Sequence, residues 1–278
     1  SCLGAGPSPT AEPQLVRQRR HRDTVIHDAM LLQSGEGDET LGPQCLLVAI
    51  DETGDEDLAD PRYPVFGIGG CLTVVGEYQQ QIRGPWSALK QSHFSGASAP
   101  LHAAGLRLTA DQASALGNFF WTCTFGRFAA VTTLATAIDA RLSRFEATAL
   151  MMGNLLAKAA EAYRFTSMAV IFEHSERTEG LVRKTFSENK VYAGEAAQRW
   201  QVPTRFFFAK KHVAEPIVEV ADFIMHASGT AVRSHRDSGV PLLKRRDFAS
   251  VFEGREARRA AFLRLDALQG RQGSGGTA

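Results

Sequence analysis

Hydrophobic positions run along this chain in short blocks that alternate between two periods. Residues 45–50 are apolar without a break, and the run ends at Asp51-Glu52-Thr53-Gly54. A continuous apolar run this short predicts a strand buried on both faces, here one that delivers its acids into a turn. A second strand is predicted over 65–75, rich in glycine at its start, and a third over the Thr/Val-rich stretch 127–138. Residues 168–172, ending in Glu173-His174, predict a fourth strand, and 204–208 a fifth. Between them the apolar positions recur at three and four, the spacing of helices. Helices are expected over 78–94, interrupted at Gly84-Pro85, and over 144–164, 179–200 and 215–233. Another runs to about residue 121 behind a Thr109 cap. Residues 95–108 read as a loop containing Leu101-His102-Ala103-Ala104.

The stretch 215–233 departs most from a plain pattern. Pro216 suits the first helical position, where its missing N–H costs nothing. At about 100° per residue, Glu219, Asp222 and His226 fall in one narrow stripe with Glu215 above it. Every other position through Ala227 is apolar or small. Such a helix is buried on most sides yet shows two carboxylates and a histidine along one line, which points to a pocket. Its plainer reading is the wet side of an amphipathic helix.

The flanks are simpler. Residues 1–13 are small, Pro-rich and aperiodic, 15–32 read as a basic-headed helix that docks as an arm, and 34–44 as an acidic, Gly-rich linker. Residues 234–248 read as a basic loop and 255–268 as a last helix before a disordered Gly/Ser end. This divides the chain into an arm and linker over 1–44, an α/β domain over 45–235, and a basic C-terminal loop, helix and tail over 236–278.

Composition changes little: with 44% hydrophobic and 22% charged residues a real core is expected. A net charge of +1 says nothing about partners, but its distribution is uneven. Residues 36–60 carry acids alone, while arginine concentrates in 14–23 and after Arg233. The four cysteines show no metal-type spacing and read as free thiols of a reducing compartment. No apolar run reaches membrane-spanning length and no signal-peptide core is present, so a cytoplasmic protein is expected. Its opening at Ser1 rather than Met suggests a trimmed N-terminus.

Three acids close three different elements: Asp51 after the first strand, Glu173 after the fourth, Asp222 on the last core helix. Adjacent parallel strands would bring the first two side by side, where α/β sheets build their sites, and a helix crossing those ends would add the third. Converging carboxylates repel unless a cation neutralises them, and oxygen ligands without a cysteine cluster point to Mg²⁺ or Mn²⁺. Two such ions about 3.5–4 Å apart suit phosphodiester hydrolysis. Lys210-Lys211 before the striped helix and Lys244-Arg245-Arg246 after it fit a polyanion, although most such runs are solvated surface.

At this point the chain resembles a family. Its order of elements is similar to that of the ribonuclease H-like superfamily, and more narrowly its motifs resemble the DUF3800 group. The matching pieces are Ile50-Asp51-Glu52-Thr53-Gly54-Asp55, Phe66-Gly67-Ile68-Gly69-Gly70, Leu101-His102-Ala103 and Val218-Glu219-Val220-Ala221-Asp222-Phe223-Ile224, spread over roughly 45–235. The resemblance implies a mixed five-stranded sheet flanked by helices, with a helical insertion after the second strand. It also implies that Asp51, Glu173 and Asp222 are counterparts of metal-binding acids. Three departures stand out. Thr53 replaces a usual serine, Glu219 a common glutamine, and Pro100 an acid two residues before His102.

The expected function is a metal-dependent nuclease cutting DNA or RNA, with His226 protonating a leaving group and Glu52, His102 and Glu219 beside the site. Two alternatives remain. One is a silent module of the same fold that binds nucleic acid or a protein partner, and the other a small-molecule phosphoesterase. A homo-oligomer is also open. Several candidates have purely structural readings: Asp51 as a turn residue, Glu173-His174 as a solvated strand end, Glu146 as a helix-dipole residue, and His102 as a loop histidine.

Overall fold

Strand β3 (Cys45–Gly54) begins with six buried residues, and alternate side chains of a strand go to opposite faces. Cys45, Leu47 and Ala49 enter one apolar core; Leu46, Val48 and Ile50 enter another. Such a strand needs neighbours on both edges and a layer on each face. The computed structural model supplies both; it describes residues 29–34, 37–94, 96, 99–134, 136, 138–173, 179–180, 182, 202–209, 215–238 and 262–263.

On one edge of β3 lies β4 (Val65–Val74), antiparallel, followed by antiparallel β5 (Gly126–Thr133). On the other lies β6 (Ser167–Glu173), parallel, followed by parallel β7 (Thr204–Ala209). The order is therefore β7-β6-β3-β4-β5, with the two-residue β8 (Phe262–Leu263) beside β5. Helix α4 (Arg144–Ala160) packs Phe145, Ala149, Met152 and Leu156 against the face of Leu46 and Val48. Helix α5 (Pro216–Ser238) packs Ile217, Val220, Ala221 and Ile224 against the face of Leu47 and Ala49. This is an α/β fold with a five-strand mixed sheet flanked by helices, the class expected from the apolar pattern.

Between β4 and β5 the chain forms α1 (Val75–Tyr78), a wider π turn over Gln79–Arg83, and α2 (Gly84–His93). The break expected at Gly84-Pro85 is instead a change of pitch. Pro85 has no N–H to give, and the Gly84 N–H reaches back five residues to the Gln79 carbonyl, so the helix continues after a π bulge. Helix α3 (Ala110–Thr122) starts with Thr109 and Gln112 exchanging bonds in a capping box. Trp86 of α2 stands edge-on to Phe119 of α3 and Phe223 of α5, with ring centroids 5.0 and 5.3 Å away. One aromatic cluster thus binds three helices to the same face of the sheet.

Several expectations need correction. Residues 30–32, expected in a basic-headed helix, belong to β1 (Met30–Ser34), and the expected linker contains β2 (Gly37–Leu41), its antiparallel partner. Leu32 and Leu41 are both buried, so this hairpin has an apolar anchor that an aperiodic reading overlooks. Arg205 of β7 pairs with Glu39 beside it. Phe262 and Leu263 are strand rather than helix, added at an open edge, and 234–238 prolong α5 rather than forming a loop. Residues 179–180 and 182 are helical as expected. The expectations for 1–28, 183–200, 239–261 and 264–278 lie outside the described residues.

The tie between α2 and α5 is ionic as well as aromatic. Lys90 and Glu219 are only 3% and 5% exposed, and Lys90 Nζ donates to both Glu219 oxygens at 2.8 and 3.0 Å. Trp86 Nε1 donates to Glu219 Oε2 at 2.7 Å. Removing the cation strands a buried charge, so Lys90→Met should cost about 3–5 kcal/mol. Adding Glu219→Gln removes that charge and keeps an acceptor for Trp86, so the double variant should regain much of the loss. Urea unfolding of the two singles and the double decides it, and simple additivity of the singles would refute the coupling.

Candidate functional site

The parity that sorts the β3 core also places its acids. Asp51, two residues beyond Ala49, falls on the α5 face, and Glu52, paired with Ile68, falls on the α4 face. The strand continues through both, to Gly54, rather than turning at Asp51 as the sequence suggested. Beside it, β6 runs parallel with Ile50 level with Phe172. Asp51 and Glu173 are therefore the next positions of neighbouring strands. Glu173 shares the face of Ala169 and Ile171, again the α5 side. Two acids from separate strands thus stand side by side, Glu173 at the carboxyl end of β6 and Asp51 three residues before that of β3.

Glycines on β4 let α5 approach this edge. Gly69 pairs with Asp51. A Cβ there would stand 2.9 Å from Met225 Sδ and 2.3 Å from the Phe128 carbonyl oxygen, so no side chain fits between strand and helix. Ala221 and Met225 are fully buried on the sheet, which leaves Asp222 between them at the sheet margin, 21% exposed.

Burial holds the Asp51 carboxyl well above the usual carboxylate range, and the charges of Asp222 and then Glu173 push it further. Glu52 adds a smaller push from across the strand, while a backbone hydrogen bond at Glu52 acts the other way. The three acids named from the sequence are therefore close enough for two to oppose the ionisation of the third. Among the described residues, however, no three His, Cys, Asp or Glu side chains form a ready metal cage.

The insertion contributes to the site as well. The main-chain N–H of Ala103 donates to Asp222 Oδ2 at 2.8 Å, and His102 Nδ1 lies 3.7 Å from the same oxygen. The first is a hydrogen bond that fixes the carboxylate; the second is too long to be one. Both feet of this loop are held by one side chain. Gln112 Nε2 donates to the His93 carbonyl, and Gln112 Oε1 accepts from the Thr109 N–H.

Other candidates fall elsewhere. His226 is exposed, one turn beyond Asp222. Glu219 belongs to the buried pair with Lys90, so it adds no net charge to the site. Glu146 completes a capping box with Ser143 at the start of α4. Lys210, Lys211, Arg245, Arg246 and His174 lie outside the described residues. The sequence reading missed the Ala103 amide, because a backbone N–H carries no residue signature. It also missed Tyr63, whose hydroxyl meets Thr53 Oγ1 at 3.0 Å.

Comparison with protein-family models, curated proteins and solved structures gave no match. No helix among the described residues is long and apolar enough to cross a membrane. Cys45, Cys71 and Cys123 are free thiols.

The raised carboxyl has a measurable consequence. Below the unfolded value of about 3.9 both states hold the proton. As pH rises toward the higher folded value, the native state must retain that proton or bury a charge, so stability is lost. Without metal at pH 7, Asp51→Asn should stabilise the protein by at least about 1 kcal/mol, or about 2–4 °C in melting temperature. At pH 3.5 the gain should vanish. Melting curves at both values test this; an equal gain at both, or a loss at pH 7, would show that Asp51 bears no such repulsion.

Proposed function

We propose that the protein is a metal-dependent nuclease with a ribonuclease H-like fold, cutting phosphodiester bonds in DNA or RNA. The observation that carries this reading is the crowding of Asp51 by Asp222 and Glu173 at the carboxyl ends of two parallel strands. The sheet order β7-β6-β3-β4-β5, in which β4 alone runs against the other four strands, agrees with that fold.

The donor set fits a hard divalent cation. Three carboxylates opposing one another's charge favour an ion such as Mg²⁺ or Mn²⁺ over the softer metals that thiols select. Asp51, Glu173 and Asp222 would hold it, and when bound it supplies Lewis acidity toward phosphate and lowers the pKa of water. The chain's own groups do the rest. The Ala103 amide occupies Asp222 Oδ2, so the carboxylate keeps one orientation and its Oδ1 remains for the cation. His226, exposed on the turn above Asp222, would give a proton to a leaving oxygen. His102, half exposed beside Asp222, borders the substrate's path.

Asp222→Asn keeps an acceptor for Ala103 while removing a charge. It should cut cleavage by more than the roughly 10–100-fold that losing an outer partner of a metal site costs. It should also shrink the rise in melting temperature that added Mg²⁺ gives, without lowering the metal-free value. The measurement is cleavage of labelled DNA and RNA with Mg²⁺ or Mn²⁺, alongside melting with and without metal. An active variant with the wild-type metal response would remove the proposal, and a wild type that binds these substrates without cutting them would favour a silent binding module.

A further inference from the structure

The side of α5 that carries Asp222 does not end there. At about 100° per residue, His226, Gly229 and Arg233 follow within about 40° of Asp222, and Arg233 returns to within about 20° of it. Eleven residues at 1.5 Å each place Arg233 about 16 Å further along the helix.

That cation is held in place. Its guanidinium carbon lies 5.1 Å from the centroid of the Tyr63 ring, within range of a cation–π contact. The Tyr63 hydroxyl meets Thr53 Oγ1 at 3.0 Å, and Thr53 shares the α5 face of β3 with Asp51, two residues on. Gly229 makes room for this arrangement, since a Cβ there would stand 2.2 Å from the Tyr63 hydroxyl and 2.8 Å from Thr53 Oγ1. Thr53, Tyr63 and Arg233 thus form a strut from the acid-bearing strand to a partly exposed guanidinium. Among the described residues Arg233 has no carboxylate at ion-pair distance. The contact holds the guanidinium beside the ring, and its N–H groups are of the kind that grip a planar or tetrahedral anion.

We propose that Arg233 grips a backbone phosphate of the substrate strand about 16 Å along α5 from Asp222, so that the site acts on chains of several nucleotides rather than on isolated phosphoesters. This rests on the nuclease reading and narrows its substrate. At 3.4 Å per stacked step, the span corresponds to about five nucleotides. The β3–β4 loop carries Asp55, Glu56 and Asp57, which repel phosphates on that side and confine the grip to about one.

The test uses fluorescence anisotropy with a labelled 12-nucleotide single strand, over a salt series in chelator, so that binding is read without cleavage. Arg233→Gln should weaken binding about tenfold at low salt and reduce the slope of log K against log salt by about 0.7, one phosphate. Arg233→Lys should keep the slope while binding more weakly. If Arg233 only anchors Tyr63, the Gln variant lowers the melting temperature and leaves the slope unchanged, which overturns the proposal. In the cleavage assay, the loss of kcat/KM in Arg233→Gln should shrink from the 12-mer to a dinucleotide; an equal loss on both also overturns it. A changed slope with a wild type that cuts nothing would sink the nuclease reading and keep the Arg233 contact. An unchanged slope with intact wild-type cleavage would do the reverse.

Discussion

Lys90 and Glu219 face one another where water is nearly absent, and the working side of the molecule depends on that meeting. Each charge alone would be prohibitive in the core. Together, with the Trp86 indole also donating to Glu219 Oε2, they fix α2 against α5 at one register. The aromatic rings around them supply most of the apolar contact, but rings slide more readily than a bidentate ion pair. Asp222 lies one turn along α5 from Glu219, and the loop that supplies the Ala103 amide leaves from the end of α2. Both partners of that hydrogen bond are therefore positioned from the same pair.

A second tension is unresolved by design. The sheet brings Asp51 and Glu173 to one edge by strand parity and register, and the glycines of β4 let α5 add Asp222. The charges of Asp222 and Glu173 both oppose ionisation of the buried Asp51. Native proteins rarely leave like charges crowded without a use, and strain stored at one place is commonly offset elsewhere. Here the offset is a broad apolar core on either side of β3, closed by α4 on one face and α5 on the other.

Much of this was legible in the sequence because it follows from periodicity. The unbroken run 45–50 announced a strand buried on both faces, the stripe on 215–233 announced a helix with one polar line, and Thr109 announced a cap. What escaped was non-local or carried by the backbone. Glu219 and Asp222 share one stripe, yet one is sealed against Lys90 and the other stands at the sheet margin. Periodicity gives an angle around a helix and not what lies opposite. β1 was hidden because Met30, Leu31 and Leu32 read as the apolar end of a helix, and β2 because a five-residue strand in an acidic, Gly-containing stretch leaves too few alternations to register. His102 looked incidental beside Pro100, since sequence cannot show that the loop folds back onto α5.

Gln112 holds both ends of the excursion that carries Ala103, so the distance between its feet is set independently of the path between them. At the tip, Ala104 and Gly105 are exposed, Gly105 adopts a left-handed conformation (φ +74°), and a Cβ on it would touch nothing within 4 Å. A side chain at Gly105 would be strained by that backbone, so exposed Ala104 is the position on the crest where chemistry can be attached without disturbing the frame. An environment-sensitive dye there would sit one residue from the amide that holds Asp222. It would turn occupancy of the carboxylate pocket into an optical signal, readable before any substrate is known.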